Sequence, residues 1–195
     1  MTSQRNNPSD SRSTEDLALD AAREAILAVG WSRTTLTDIA RRAGLSRMTL
    51  YRKWPVMNAL LADLMTREWA SLVDLGTRSA NHRERLVQGI VGTVGALRDN
   101  ELFTRIIELD PEMLLPYLLD RPGRSQELVL ELLVGEIAAG QKAGQIRVGN
   151  PDLLARSIVL AAHGFTLSTQ TMTEGLEADP FDTELGLLIE RYLAS

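Results

Sequence analysis

Cysteine is absent from the 195 residues, and histidine occurs only twice, at His82 and His163. Without cysteine there can be no disulfide, no thiol nucleophile and no sulfur-rich metal site, a composition compatible with a cytoplasmic protein. The two histidines are too far apart in sequence for metal-ligand spacing, so no metal or other cofactor is expected. No glycine-rich phosphate loop, HExxH or GxSxG occurs, which argues against an enzyme. Asp110 and Glu112 flank Pro111 and read as caps rather than as an acid–base pair. Charged residues interrupt every apolar stretch before it reaches membrane-spanning length. The first residues also lack the apolar core of an export signal, so no membrane partner is expected. Aromatics are scarce as well, with three each of Trp, Tyr and Phe.

What is present is aliphatic and periodic, and it suits an all-α protein long enough for a sizeable core. The formal net charge of −5 argues against nucleic-acid binding until it is divided. Residues 33–54 carry six Lys or Arg against the single Asp38, whereas residues 61–195 carry 12 Lys or Arg against 20 Asp or Glu. A phosphate responds to local charge, so an acidic chain can still hold a basic DNA-binding module.

The basic segment has the pattern of two short helices joined by a tight turn. Leu36, Ile39, Ala40 and Ala43 form one buried stripe, and Thr35 with Asp38 fits a capping box at its start. Gly44 can take the left-handed conformation that stops a helix, Leu45 plugs the turn, and Ser46 supplies the next N-cap oxygen. Leu50 and Trp54 then face inward, leaving Arg47, Met48, Thr49, Tyr51, Arg52 and Lys53 outward. This is a helix-turn-helix whose second helix suits the major groove. Ser13 with Asp16 can cap a preceding helix striped by Leu19, Ala22, Ile26 and Val29.

The segment from about Asp16 to Leu64 resembles the N-terminal DNA-binding domain of TetR-family transcriptional regulators. The resemblance rests on Gly30-Trp31, Thr34-Thr35-Leu36, Ile39-Ala40, Ala43-Gly44-Leu45-Ser46, Thr49-Leu50-Tyr51 and Trp54-Pro55. It implies phosphate contacts at Thr35 or Thr37, at Ser46 and at Tyr51. Charge-assisted contacts are expected from Arg47, Arg52 and Lys53. Met48 and Thr49 sit where recognition helices reach base edges, Met48 suiting a thymine methyl and Arg47 a guanine O6/N7 pair. Outside this motif, Tyr51 would as readily pack over a domain edge and the arginines form a solvated face. One departure is visible: Val56-Met57 stand where many members carry Ser/Asn-Lys, so one phosphate contact is missing. Compensation by Arg52 and Lys53 is expected.

The domain reading is a disordered tail at 1–13, a three-helix DNA-binding domain at 14–60 and a helical ligand-binding and dimerisation domain at 61–195. The tail could reach a minor groove through Arg5 and Arg12. A fourth helix is expected from Met57 towards Leu75, a loop at Gly76-Thr77-Arg78-Ser79, and helices near 82–98, 101–109, 111–119, 124–143, 151–173 and 182–193. Pro116 should kink or shorten the 111–119 piece, Arg121-Pro122-Gly123 should punctuate the chain, and Gln145–Val148 should be at most an extended connector. The resemblance implies a homodimer on double-stranded operator DNA, released by a small-molecule effector. Apolar and small residues on the 124–143 helix (Leu128, Leu132, Gly135, Ile137, Ala139) and on the 151–173 helix (Ile158, Ala161, Ala162, Phe165, Leu167) suit the dimer interface. Trp69, Phe103, Ile107, Met113, Leu114 and Tyr117 could line an apolar pocket, with Ile106 and Leu118 beside them. Arg105 and Glu108 could pair on one helix, and His163 reads as a core histidine bonded to a carbonyl. The few charged residues nearby favour an uncharged or weakly polar, lipophilic effector. The competing reading is a DNA-binding architectural or partner-recruiting protein that senses no ligand.

Overall fold

The first helix, α1 (Thr14–Val29), begins where Ser13 Oγ accepts the Asp16 N–H at 3.0 Å. It buries Ala18, Leu19, Ala22 and Ile26, while Val29 turns outward at its end. The computed structural model describes residues 13–73, 79–120, 122–173, 175 and 179–195. The tail bearing Arg5 and Arg12, the loop residues Gly76, Thr77 and Arg78, and Arg121 lie outside them. Among the described residues all regular structure is helical.

The chain divides into two compact units. The first joins residues 1–64 to a return segment at 105–111, an assignment that nothing local in the sequence signals. It holds α1, α2 (Leu36–Arg42), α3 (Arg47–Lys53) and most of α4 (Met57–Ala70). Thr35 Oγ1 caps α2 by accepting the Asp38 N–H at 3.1 Å. The Asp38 carboxylate does not complete a capping box, because it pairs instead with Arg41 and Arg42. Gly44 has φ +66°, and Ser46 Oγ caps α3 through the Thr49 N–H at 3.1 Å. Leu50 and Trp54 are buried, and Trp54 Nε1 donates to Asp63 at 2.8 Å.

The turn from α1 into α2 is held by Asp110, which is 1% exposed. One carboxylate oxygen accepts the Trp31 N–H at 2.7 Å and the other accepts the Ser32 N–H at 3.1 Å. Gly30 makes this possible. Its φ is +86°, and a Cβ there would lie 3.0 Å from Asp110 Oδ2 and 3.1 Å from Leu109 Cδ1. Thr34 closes the turn by donating to the Gly30 carbonyl at 2.7 Å, and Arg105 Nε reaches the Leu27 carbonyl at 3.2 Å. Burial alone would raise the Asp110 pKa. The Ser32 side chain and the Trp31 and Ser32 N–H groups outweigh it and, with Arg33 nearby, hold the carboxyl below its ordinary range.

The second unit comprises residues 65–104 and 112–195. Its helices are α5 (His82–Arg98), the first part of α6 (Glu101–Leu109), α7 (Leu115–Leu119), α8 (Arg124–Lys142), α9 (Pro151–Met172) and α10 (Asp179–Leu193). Leu86, Ile90, Leu133, Ile137, Ile158 and Leu185 belong to its buried core. Three expectations change here. Helix α4 stops at Ala70 rather than running towards Leu75. The Ser71 hydroxyl takes the Glu68 carbonyl at 2.7 Å, and the Leu72 N–H bonds three residues back to Trp69, closing a turn. The 111–119 piece is a 3₁₀ turn (Pro111–Leu114) followed by α7, with Pro116 in the first turn of that helix, where its missing N–H costs little. Gln145–Val148 form bends rather than an extended connector, with Ile146 buried and Arg147 Nε donating to the Tyr192 carbonyl at 2.6 Å.

Candidate nucleic-acid interface and apolar cavity

Helix α3 buries Leu50 and presents its other face to solvent. Met48 is 78% exposed and Tyr51 45% exposed. An exposed methionine on a basic helix is favourable only if something apolar later covers it, and a thymine methyl is such a group. Arg47 and Arg52 are exposed and have no ion pair among the described residues. The first helix of the motif differs: Arg41 and Arg42 are spent on Asp38, whose carboxyl Arg42 and then Arg41 hold below its ordinary range.

Four expected contact residues already have neighbours. Thr35 and Ser46 cap their helices, and the Ser46 and Thr49 hydroxyls lie 2.8 Å apart. Each hydroxyl that accepts at a cap still has a proton to donate. Thr37 is half-buried and Thr35 exposed. Lys53 is paired with Glu15 of α1, and its ammonium lies 5.5 Å from the Trp54 ring centre. A DNA phosphate must therefore compete with a carboxylate for Lys53. Glu15→Gln is expected to steepen the salt dependence of DNA binding by about one unit of slope, read from binding isotherms across a salt series. Val56, at the departure from the family pattern, is exposed.

The second unit contains an apolar cavity of about 480 Å³. Trp69, Phe103, Leu114 and Tyr117 lie on its wall, as does Leu118. Trp69 and Phe103 meet edge to face with ring centres 5.9 Å apart. Ile107 and Met113 do not line it. Ile107 belongs to the 105–111 segment of the first unit, and Met113 is half-buried in the 3₁₀ turn. The expected dimer faces also divide differently: Leu128, Leu132, Ala162 and Leu167 line the cavity, and Ile137 and Ile158 are core. Arg105 lies 3.7 Å from Glu108, as the helical spacing predicts.

Gln126, His163 and Thr166, none of them assigned to the pocket from sequence, are polar residues of the wall. Among the described residues His163 bonds no carbonyl. Its Nε2 lies 3.1 Å from Gln126 Nε2, and burial pushes its pKa down. The signal available in the sequence was the position of His163 and Thr166 on an otherwise apolar stretch of helix. Among the described residues no Lys or Arg lines the cavity, and Glu131 is the only acidic one that does.

A basic helix with Arg47, Met48 and Tyr51 exposed, in a chain that also carries a helical unit with a cavity, suits a DNA-binding protein. The sequence signature of the bacterial regulatory proteins of the tetR family matches residues 18–64. The HTH-type transcriptional regulator Rv2250c of Mycobacterium tuberculosis is 31% identical over 184 residues, covering 94% of this chain and 96% of the relative. The chain belongs to the tetR family. It is a DNA-binding transcriptional regulator. Two solved tetR-like folds agree at lower identity. The SmeT–triclosan complex is 18% identical, with a TM-score of 0.66 over 94% of this chain and 93% of that one. FadR of Bacillus subtilis, in complex with stearoyl-CoA, is 17% identical, with a TM-score of 0.64 over 91% and 98%.

Proposed function

We propose that this tetR-family regulator represses transcription from an operator that it binds as a homodimer, and that an uncharged lipophilic molecule in the cavity releases it. The apolar cavity, with no lysine or arginine among the described residues of its wall, carries this reading. It favours a ligand sensor over an architectural protein, which has no use for such a space. SmeT and FadR, as solved, hold triclosan and stearoyl-CoA, so the shared fold accommodates lipophilic ligands. DNA and effector then weaken each other by linkage, since each prefers a different conformation. In the contact set, Arg47, Met48 and Thr49 read bases, while Thr35, Thr37, Ser46, Tyr51, Arg52 and Lys53 hold phosphates.

The test is binding of the purified protein to fragments of its own upstream intergenic DNA at two salt concentrations, with uncharged and charged lipophiles titrated in. Release by uncharged compounds alone supports the reading; binding that no lipophile affects overturns it.

The dimer surface follows from exposure. Leu153 and Leu160 lie seven residues apart on α9, Leu160 being 72% exposed, and Leu187 and Leu188 are exposed on α10, which packs beside α9. Two copies pairing through α9 and α10 would cover all four, a change from the α8–α9 pairing that the sequence pattern suggests. The double substitution Leu160→Asp, Leu188→Asp is expected to give a monomer in sedimentation, while Leu128→Asp leaves the dimer intact.

A further inference from the structure

We infer that the cavity holds its effector by a neutral hydrogen-bond acceptor, a ketone, ester, lactone or amide oxygen, which takes the proton on His163 Nδ1. This rests on the effector reading above and specifies its chemistry. The argument begins at Gly123, whose N–H donates to Gln126 Oε1 at 2.7 Å and so fixes which way the amide faces. The other end, Gln126 Nε2, lies 3.1 Å from His163 Nε2 and 3.5 Å from the Tyr117 carbonyl oxygen. A primary amide nitrogen donates and does not accept. His163 Nε2 must therefore be the acceptor, which places the ring proton on Nδ1. An imidazolium would set N–H against N–H, and burial opposes it as well.

The Nδ1 proton is left over. Among the described residues it has no partner, and Trp69 Nε1, a second donor on the same wall, is likewise buried without one. The Thr166 hydroxyl donates to the Ala162 carbonyl at 2.8 Å, and the Thr93 hydroxyl to the Leu72 carbonyl at 3.3 Å. Among the described residues the hydroxyls on the wall without a hydrogen bond are those of Tyr117 and Ser125. A carboxylate or phosphate head would meet no counter-charge among the described residues, and its burial would go uncompensated. A fixed donor on an apolar wall selects a neutral acceptor on a lipophilic body.

The test uses the full chain and N-phenylnaphthylamine, a fluorophore that brightens in apolar sites. Competitors are the methyl ketone, the carboxylate and the trimethylammonium derivative of one decyl chain. The ketone is expected to displace the fluorophore about tenfold better than either ion. His163→Phe should keep the brightening within about twofold while erasing that advantage. Nitrogen NMR of the labelled protein, in which only His82 and His163 contribute imidazole signals, should place the His163 proton on Nδ1 at neutral pH. Gln126→Leu, which removes the tautomer's anchor, should shift that proton towards Nε2 and weaken the ketone's advantage. It serves as the second variant if His163→Phe fails to fold. A His163 proton on Nε2, or a ketone advantage that survives His163→Phe, overturns the inference. A fluorophore that stays dark with the wild-type chain overturns the effector reading itself. Bright fluorescence with ketone and carboxylate competing equally overturns only the head-group assignment.

Discussion

Replacing Arg47 with alanine is expected to lower affinity for the specific operator by about tenfold or more, while binding to random DNA falls far less. A bidentate arginine–guanine pair contributes about 1–3 kcal/mol of discrimination, and Arg47 stands at the first turn of α3, exposed and without an ion pair among the described residues. Tyr51→Ala should weaken specific and non-specific binding together, because a phenol on a phosphate positions the helix without reading a base. Arg52→Ala should reduce the salt slope by about one unit and leave sequence preference alone. The control is Arg41. Its exposed pair with Asp38 contributes little to stability, and its charge is already answered, so Arg41→Ala should change affinity within about twofold. Titrations against operator and random duplexes at two salt concentrations separate these cases. A uniform loss at Arg47, equal on both duplexes, would make it a phosphate contact and move the base-reading role to Met48 and Thr49.

The helix-turn-helix was legible because its determinants are local. Thr35, Gly44 and Ser46 act within four residues of themselves, and the Leu36–Ile39–Ala40 stripe needs only helical periodicity to be read. Half of the capping box was misjudged for a local reason too: Asp38 had two arginines within a turn, and an ion pair competes well with a backbone N–H. The second unit was legible as helices but not as a site. An amphipathic stripe reveals that a face is covered, not what covers it. Leu128 and Leu132 therefore looked like dimer surface yet line a cavity, and Ile107 looked like cavity wall yet belongs to the first unit. The Gln126–His163 pair spans two helices, and no pattern within either one announces it. Asp110 reads from the sequence as a cap, yet its carboxylate holds the Trp31 and Ser32 N–H groups of a turn, the first of them 79 residues away.

That distance gives Asp110 the largest expected effect on stability. Asp110→Ala should destabilise the first unit by about 2 kcal/mol, since it strands the buried Trp31 N–H and removes the acceptor of the Ser32 N–H, which water can partly replace. Asp110→Asn keeps one acceptor oxygen and should fall between the two. The effect depends on pH in a definite direction. The folded carboxyl titrates below its ordinary value, so its contribution is complete above the unfolded pKa of about 4 and is lost as acid takes the pH down through the folded pKa. Denaturation midpoints of wild type and Asp110→Ala should therefore converge as the pH drops below about 4 and stay apart at neutrality. Parallel curves across that range would mean that the ionised form contributes nothing and that Asp110 only fills space. Operator affinity should fall in step with stability, because the turn that Asp110 holds leads directly into α2 and so sets where α3 meets the groove.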